Sequence, residues 1–267
     1  MLRRLLVLTV ALLAAVGIAG VAAAPAFADD PGAPPGTPTA TNFGGVPSVG
    51  AVFDDGLANP HSCSASVVLT PRGGLVLTAA HCIAGSGAGL LFAPGYVNGR
   101  TPYGVWTVQK AWVSPRWVAT QDPKTDYAFL QVAPQTVGGR TVRLQDVTGG
   151  SLLGVAPRAG TTVTSVAYPY GIDDEPIQCV NTIVLTQGYP TFNCHGYPGG
   201  TSGSPFLLTH RGLPNIVVGL IGGLNQGGCY EWNSFSSPFG RDTYMTYLRA
   251  ATGRPADTVP SAGSDGC

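Results

Sequence analysis

Charge is scarce in this sequence. Of 267 residues only 14 are Lys or Arg and 14 are Asp or Glu, a charged fraction of 10%. Without a basic surplus the electrostatic footprint of a nucleic-acid binder is missing, so no nucleic-acid partner is expected. Closely spaced cysteines are missing too. The six cysteines include no CxxC pair and no tight Cys/His cluster, which removes the basis for a zinc site. His81 does stand beside Cys82, but adjacent residues rarely converge on one ion. No metal and no other cofactor is expected. Beyond residue 21 no segment has the roughly 20 apolar residues that a membrane helix needs. Before residue 241 there is no convincing 3.6-residue apolar repeat, so helices should carry little of the fold.

The one long apolar run opens the chain. Arg3 and Arg4 precede an apolar stretch at 5–21, and "APAFA" closes it at Ala28. Residues 1–28 read as a secretory signal peptide rather than a membrane anchor. Its removal takes away two arginines and leaves 12 basic against 14 acidic side chains. The mature chain is expected to be secreted and extracellular, with no membrane attachment. Six cysteines in an exported chain suggest three disulfides, with fifteen possible connectivities.

Residues 29–44 are rich in Pro, Gly, Thr and Ala and read as a flexible tail or short pro-segment. Short runs rich in Val, Thr and Tyr then recur at 48–53, 65–69, 75–78, 103–113 and 127–132. A second set, at 161–168, 179–185, 205–208 and 216–221, follows a break near 145–158. Gly and Pro separate the runs, and residues 114–126 read as a loop. Only 241–253 reads as a helix, with Asp242 as cap, Gly253 as stop and Tyr244, Tyr247 and Leu248 as its apolar face. The expectation is an all-β fold in two comparable halves, 45–145 and 146–253, followed by a tail at 254–267.

Three residues carry chemistry in combination. His81 ends the apolar run in "LVLTAAHCIAG", Asp126 opens "DYAFLQV", and Ser202 lies in "GGTSGSPF". Each alone has an ordinary reading: a structural histidine, a strand-end acid, a tight turn. Together they supply what acyl transfer needs. A serine hydroxyl requires a neutral imidazole to take its proton, and a carboxylate must fix that imidazole's tautomer. Glycines let the chain curl so that backbone N–H groups face a developing oxyanion.

The order His81, Asp126, Ser202, with "TAAHC" at 78–82, "DYAFL" at 126–130 and "GTSGSP" at 200–205, resembles the trypsin/chymotrypsin-like serine proteases, in particular their secreted bacterial branch, which includes glutamyl endopeptidase-like enzymes. The resemblance runs from about residue 46 to 248. It implies two packed six-stranded antiparallel β-barrels with a short C-terminal helix. The implied activity is that of a secreted serine endopeptidase working through an acyl-enzyme, as a monomer, on protein or peptide substrates. A protease-fold binding protein without activity and a hydrolase of small esters are the competing readings. By resemblance Ser202 is the nucleophile, Ser204 holds a packing position, and the N–H groups of Gly200 and Ser202 form the oxyanion hole.

The resemblance also pairs Cys63 with Cys82. Cys179 with Cys194, close in sequence, makes a loop staple, which leaves Cys229 for Cys267. A Cys194–Cys229 pair, as in animal members, is the alternative. Thr201 departs from the aspartate of the animal digestive enzymes, and no activation sequence precedes the first strand. Activation is therefore expected to need no inserted N-terminus. The position six before the nucleophile, which floors the family's substrate pocket, is Gly196. The remaining pocket candidates are His195, Leu220, Gly222, Gly223 and Glu231. A Gly196 floor favours an apolar or medium-sized substrate side chain, with Glu231 able to enter from the far wall.

Overall fold

A computed structural model describes residues 31–171 and 174–267, so the signal-peptide reading of 1–28 falls outside the described residues. The first half closes into a six-stranded antiparallel barrel. Its order is Val49–Phe53, Cys63–Val68, Leu75–Thr78, Ala128–Val132, Trp106–Val113 and Leu91–Pro94, which returns to Val49–Phe53. Val49–Phe53, Cys63–Val68 and Leu75–Thr78 are buried on both faces because successive side chains serve two cores. Val76 packs in the barrel interior with Val67, Phe92, Trp106 and Leu130. Its neighbours Leu75 and Leu77 face the other way, into a core shared with Tyr168, Val217 and Leu220 of the second half.

The second half is not a barrel, which corrects the expectation of two. It holds an open six-stranded sheet, in the order Thr41–Asn42, Ile177–Thr182, Thr162–Ala167, Pro205–Leu208, Ile216–Leu220 and Leu152–Leu153. Both outer strands are two residues long, and Leu152–Leu153 pairs in parallel, so neither edge offers a ladder for the other to close on. Val184–Thr186, Tyr189–Asn193 and Asn233–Phe235 form a separate three-stranded sheet. The two sheets enclose a common core around Phe192, Phe206 and Val218. Leu220 N–H donates to Ser236 Oγ, and Gly222 N–H to the Phe235 carbonyl, in place of a continuous ladder.

Three local features also differ from expectation. The helix Arg241–Thr252 starts one residue after Gly240 and ends at a left-handed Gly253, but it buries Thr243, Thr246 and Ala250 rather than Tyr244 and Leu248. Positions 243, 246, 247 and 250 form one stripe of a 3.6-residue repeat, and Tyr247 completes it by donating to the Leu69 carbonyl. Within the expected loop at 114–126, Pro115–Thr120 is a helix too short to show a repeat. Ser114 accepts from Arg116 N–H to cap it. Residues 38–43, placed in the tail, add an edge to the open sheet: Ala40 N–H donates to the His195 carbonyl, and Phe43 N–H to that of Pro176.

Disulfides join Cys63 to Cys82, Cys179 to Cys194, and Cys229 to Cys267. No helix among the described residues is long and apolar enough to cross a membrane.

Candidate active site

Barrel closure delivers His81. The strand Leu75–Thr78 is locked between two neighbours, and the 3-10 turn Ala80–Cys82 follows it. The Cys63–Cys82 bridge ties the far end of that turn to the next strand. Asp126 arrives from the opposite loop. Asp122 caps the turn Pro123–Thr125 by accepting from Lys124 N–H, and Thr125 Oγ1 donates to the Asp122 carbonyl.

The Asp126 carboxylate is fully buried and accepts three N–H groups. His81 N–H lies 2.9 Å from Oδ1, while His81 Nδ1 and Gly223 N–H each lie 2.8 Å from Oδ2. A carboxylate only accepts, so Nδ1 carries the hydrogen and Nε2 is left with a free lone pair. Burial alone would push the Asp126 carboxyl up. In the acid range, where the ring is an imidazolium, the His81 charge and the hydrogen bonds from His81 and Gly223 outweigh it and hold the carboxyl below the ordinary value of 3.8. A depressed folded value contributes stability that is complete above the ordinary value and is lost as pH falls through the folded one. Asp126→Asn should therefore flatten the acid end of the stability curve. Urea midpoints at about pH 5 and about pH 2 should differ less for the variant than for the wild type.

Ser202 sits in a turn that packs on the stem of His81. Gly203 has φ +84°, and a Cβ there would overlap the Ser64 carbonyl and Thr78 Oγ1, three residues before His81. Gly200 has φ +89° and lies against the Tyr170 N–H with no room for a side chain. Ser64, missed in the sequence, joins the two halves here. Its N–H donates to the Ser202 carbonyl (2.7 Å) and its Oγ to the Gly200 carbonyl (3.1 Å). With those carbonyls engaged, the N–H groups of Gly200 and Ser202 donate to nothing among the described residues. The signal was a serine in a strand buried along its whole length. Ser204 is fully buried, and Thr201 Oγ1 donates to the Pro198 carbonyl at 2.7 Å. Asp174, on the same side of the turn as Gly171, pairs with His61 Nε2 at 2.9 Å and so offers no free carboxylate for an inserted N-terminus.

A cavity of about 230 Å³ opens beside Ser202, between Tyr197 and Pro198 on one wall and Ile221 and Gln226 on the other. Glu231 lines it, while His195 and Gly196 hold Glu231 in place. Oε1 accepts from His195 Nδ1 at 2.9 Å, and Oε2 accepts from Gly196 N–H. Leu220 is not in the cavity; it is fully buried in the shared core. Ile221 lines the cavity instead, because a register one residue off moves a side chain to the opposite face. Gly222 and Gly223 lie against Asp126 rather than the cavity. The one Cys/His cluster among the described residues, Cys63, His81 and Cys82, does not suit a metal, since its two sulfurs are bonded to each other.

This fold and cleft define a serine hydrolase of the chymotrypsin type. Residues 63–220 match the family described as a trypsin-like peptidase domain, and the chain belongs to that family. Solved structures agree. Protease Anisep from Arthrobacter nicotinovorans is similar at 23% identity, TM-score 0.66, over 80% of this chain and 100% of its own. Serine protease AL20, thermostable and from an extremophilic microorganism, is similar at 25% identity, TM-score 0.63, over 77% and 97%. A Glu endopeptidase in complex with MPD shares the fold at 14% identity, TM-score 0.62, over 81% and 98%. No curated protein sequence matches the chain. The chain is a serine-type endopeptidase, and its substrates are peptides or proteins.

Proposed function

We propose that His81, Asp126 and Ser202 are the base, orienter and nucleophile of this protease. The observation that carries the reading is the buried Asp126 carboxylate, which grips His81 by both ring and backbone. Ser202 Oγ attacks the peptide carbonyl as Nε2 takes its proton, and the N–H groups of Gly200 and Ser202 receive the oxyanion. Collapse breaks the C–N bond, and Nε2 returns the proton to the leaving amine. Water then attacks the acyl carbonyl as Nε2 takes its proton, the bond to Ser202 Oγ breaks, and Nε2 returns that proton to Oγ as the acid leaves. Thr201 supports this turn through an uncharged bond, so activity needs no buried ammonium. Three disulfides belong to an oxidising compartment. With the reading of 1–28 as a leader they support secretion, and the halves, 45–145 and 146–253, each supply part of the triad. A peptide panel cut by the wild type and left intact by Ser202→Ala tests the assignment.

The cavity lining supports a different preference from the apolar one expected of Gly196. Glu231 lines the cavity with a half-exposed carboxylate that His195 and Gly196 orient, which favours Lys or Arg before the cut bond and disfavours Glu. A charge-assisted hydrogen bond of about 1.5–3 kcal/mol corresponds to roughly 10–100-fold. Glu231→Gln should lower kcat/KM by that factor on Lys and Arg substrates and leave Leu substrates within about 3-fold. A wild type that prefers Leu or Glu would remove this preference while leaving the triad reading intact.

A further inference from the structure

The segment after the helix, expected as an unstructured tail, is fastened along its length. Trp112 Nε1 donates to the carbonyls of Arg254 and Pro255, and Val113 N–H donates to the Asp257 carboxylate. Val259 is buried in the barrel core and exchanges two backbone hydrogen bonds with Gly85, four residues beyond His81. Gln121, in the loop that leads to Asp126, donates to the Ser261 carbonyl and accepts from Gly263 N–H. Gln226 then donates to the Gly263 carbonyl, and Asn225 to that of Asp265. Cys267 is bonded to Cys229 in the cavity wall. Residues 259–267 thus touch, in turn, the loop carrying His81, the loop carrying Asp126 and the wall beside Ser202.

That course borders the site on two sides. Ser202 and Ile221 share the cavity. Gln226 and Cys229 line it too, so a peptide whose side chain enters this cavity lies beside residues that the strap holds. Asn225 and Gln226, at the far end of that wall, are already engaged by the strap. Ser261 and Ala262 close the other flank, beside His81, around a cavity of about 260 Å³ that also includes Ile83 and Leu90.

We propose that residues 260–267, held by Cys229–Cys267, form the end wall of the substrate cleft and limit recognition to the residues next to the cut bond. The strap borders the site on two sides, through Gln226 and Cys229 of the Ser202 cavity and through Ser261 and Ala262 beside His81. This rests on the triad reading and adds to it a determinant of substrate length.

The test compares a one-residue ester with a four-residue amide ending in the same side chain. The enzymes are the wild type, Cys267→Ser, and a chain ending after Pro260, which keeps Val259 in the core. The wild type should gain little from the longer substrate. Release of the strap should raise kcat/KM on the tetrapeptide about 10-fold, the order of one or two hydrogen bonds gained by the longer substrate, and leave the ester unchanged. A strap with a purely structural role would move both substrates together, and that result overturns the proposal. So does a tetrapeptide that loses turnover on release. If the truncated chain fails to fold, Cys267→Ser carries the comparison alone. Absence of ester turnover by the wild type would instead remove the triad reading, and the proposal with it.

Discussion

Ser202→Ala is expected to lower kcat by roughly 10⁶-fold and to leave about 10³–10⁴-fold catalysis over water. The residual belongs to groups that the substitution spares, the Gly200 and Ser202 N–H donors and the cavity that positions the peptide. Ser204→Ala should change kcat by only a few fold, since Ser204 is fully buried and turned from the cleft. The pair of variants separates two serines two residues apart in the same turn. Progress curves with a chromogenic ester give both values, and a dead Ser204→Ala beside an active Ser202→Ala would reverse the assignment.

Asp126→Asn is expected to cost about 10⁴-fold in kcat near neutral pH. Three N–H groups converge on this side chain, and a carboxylate can accept all of them. An amide has one accepting oxygen, so its NH₂ must face a donor. If it faces His81, the ring relieves the clash by moving its hydrogen to Nε2, and the base is then blocked. If it faces His81 N–H, the turn Ala80–Cys82 shifts. Asp126→Ala should retain more activity than Asn, because it removes acceptance without imposing a donor. Pre-steady-state kinetics at neutral pH compare the two, and an Asn variant within 10-fold of the wild type would show that Asp126 does not fix the tautomer.

The family is legible in the sequence because the motifs that carry the resemblance are local. His81 and Asp126 stand at the ends of apolar runs that become barrel strands, and Ser202 stands among glycines whose positive φ the turn requires. Closure of the second half is not legible. Whether a sheet closes depends on pairing between its outer strands, here two residues each and far apart in the chain, and local composition does not report that. Composition does not tell which of Leu220 and Ile221 faces the cavity, since alternation gives opposite faces to neighbours and the register comes from the paired strands. Glu231 was visible as an acid near the pocket, but its bond to Gly196 joins two distant loops. The strap was read as disorder because Gly, Ser and Pro dominate it. Its order comes from the side chains of Trp112, Gln121 and Gln226 on other elements.

The claim on which all of this depends is that Ser202 is an activated nucleophile. Incubation with a fluorophosphonate probe, followed by digestion and mass mapping, tests it most directly. The account predicts one label, on Ser202 in the peptide spanning 199–206, absent from Ser202→Ala and strongly slowed in His81→Ala. A native protein that takes no label, or takes it on Ser204, would contradict it.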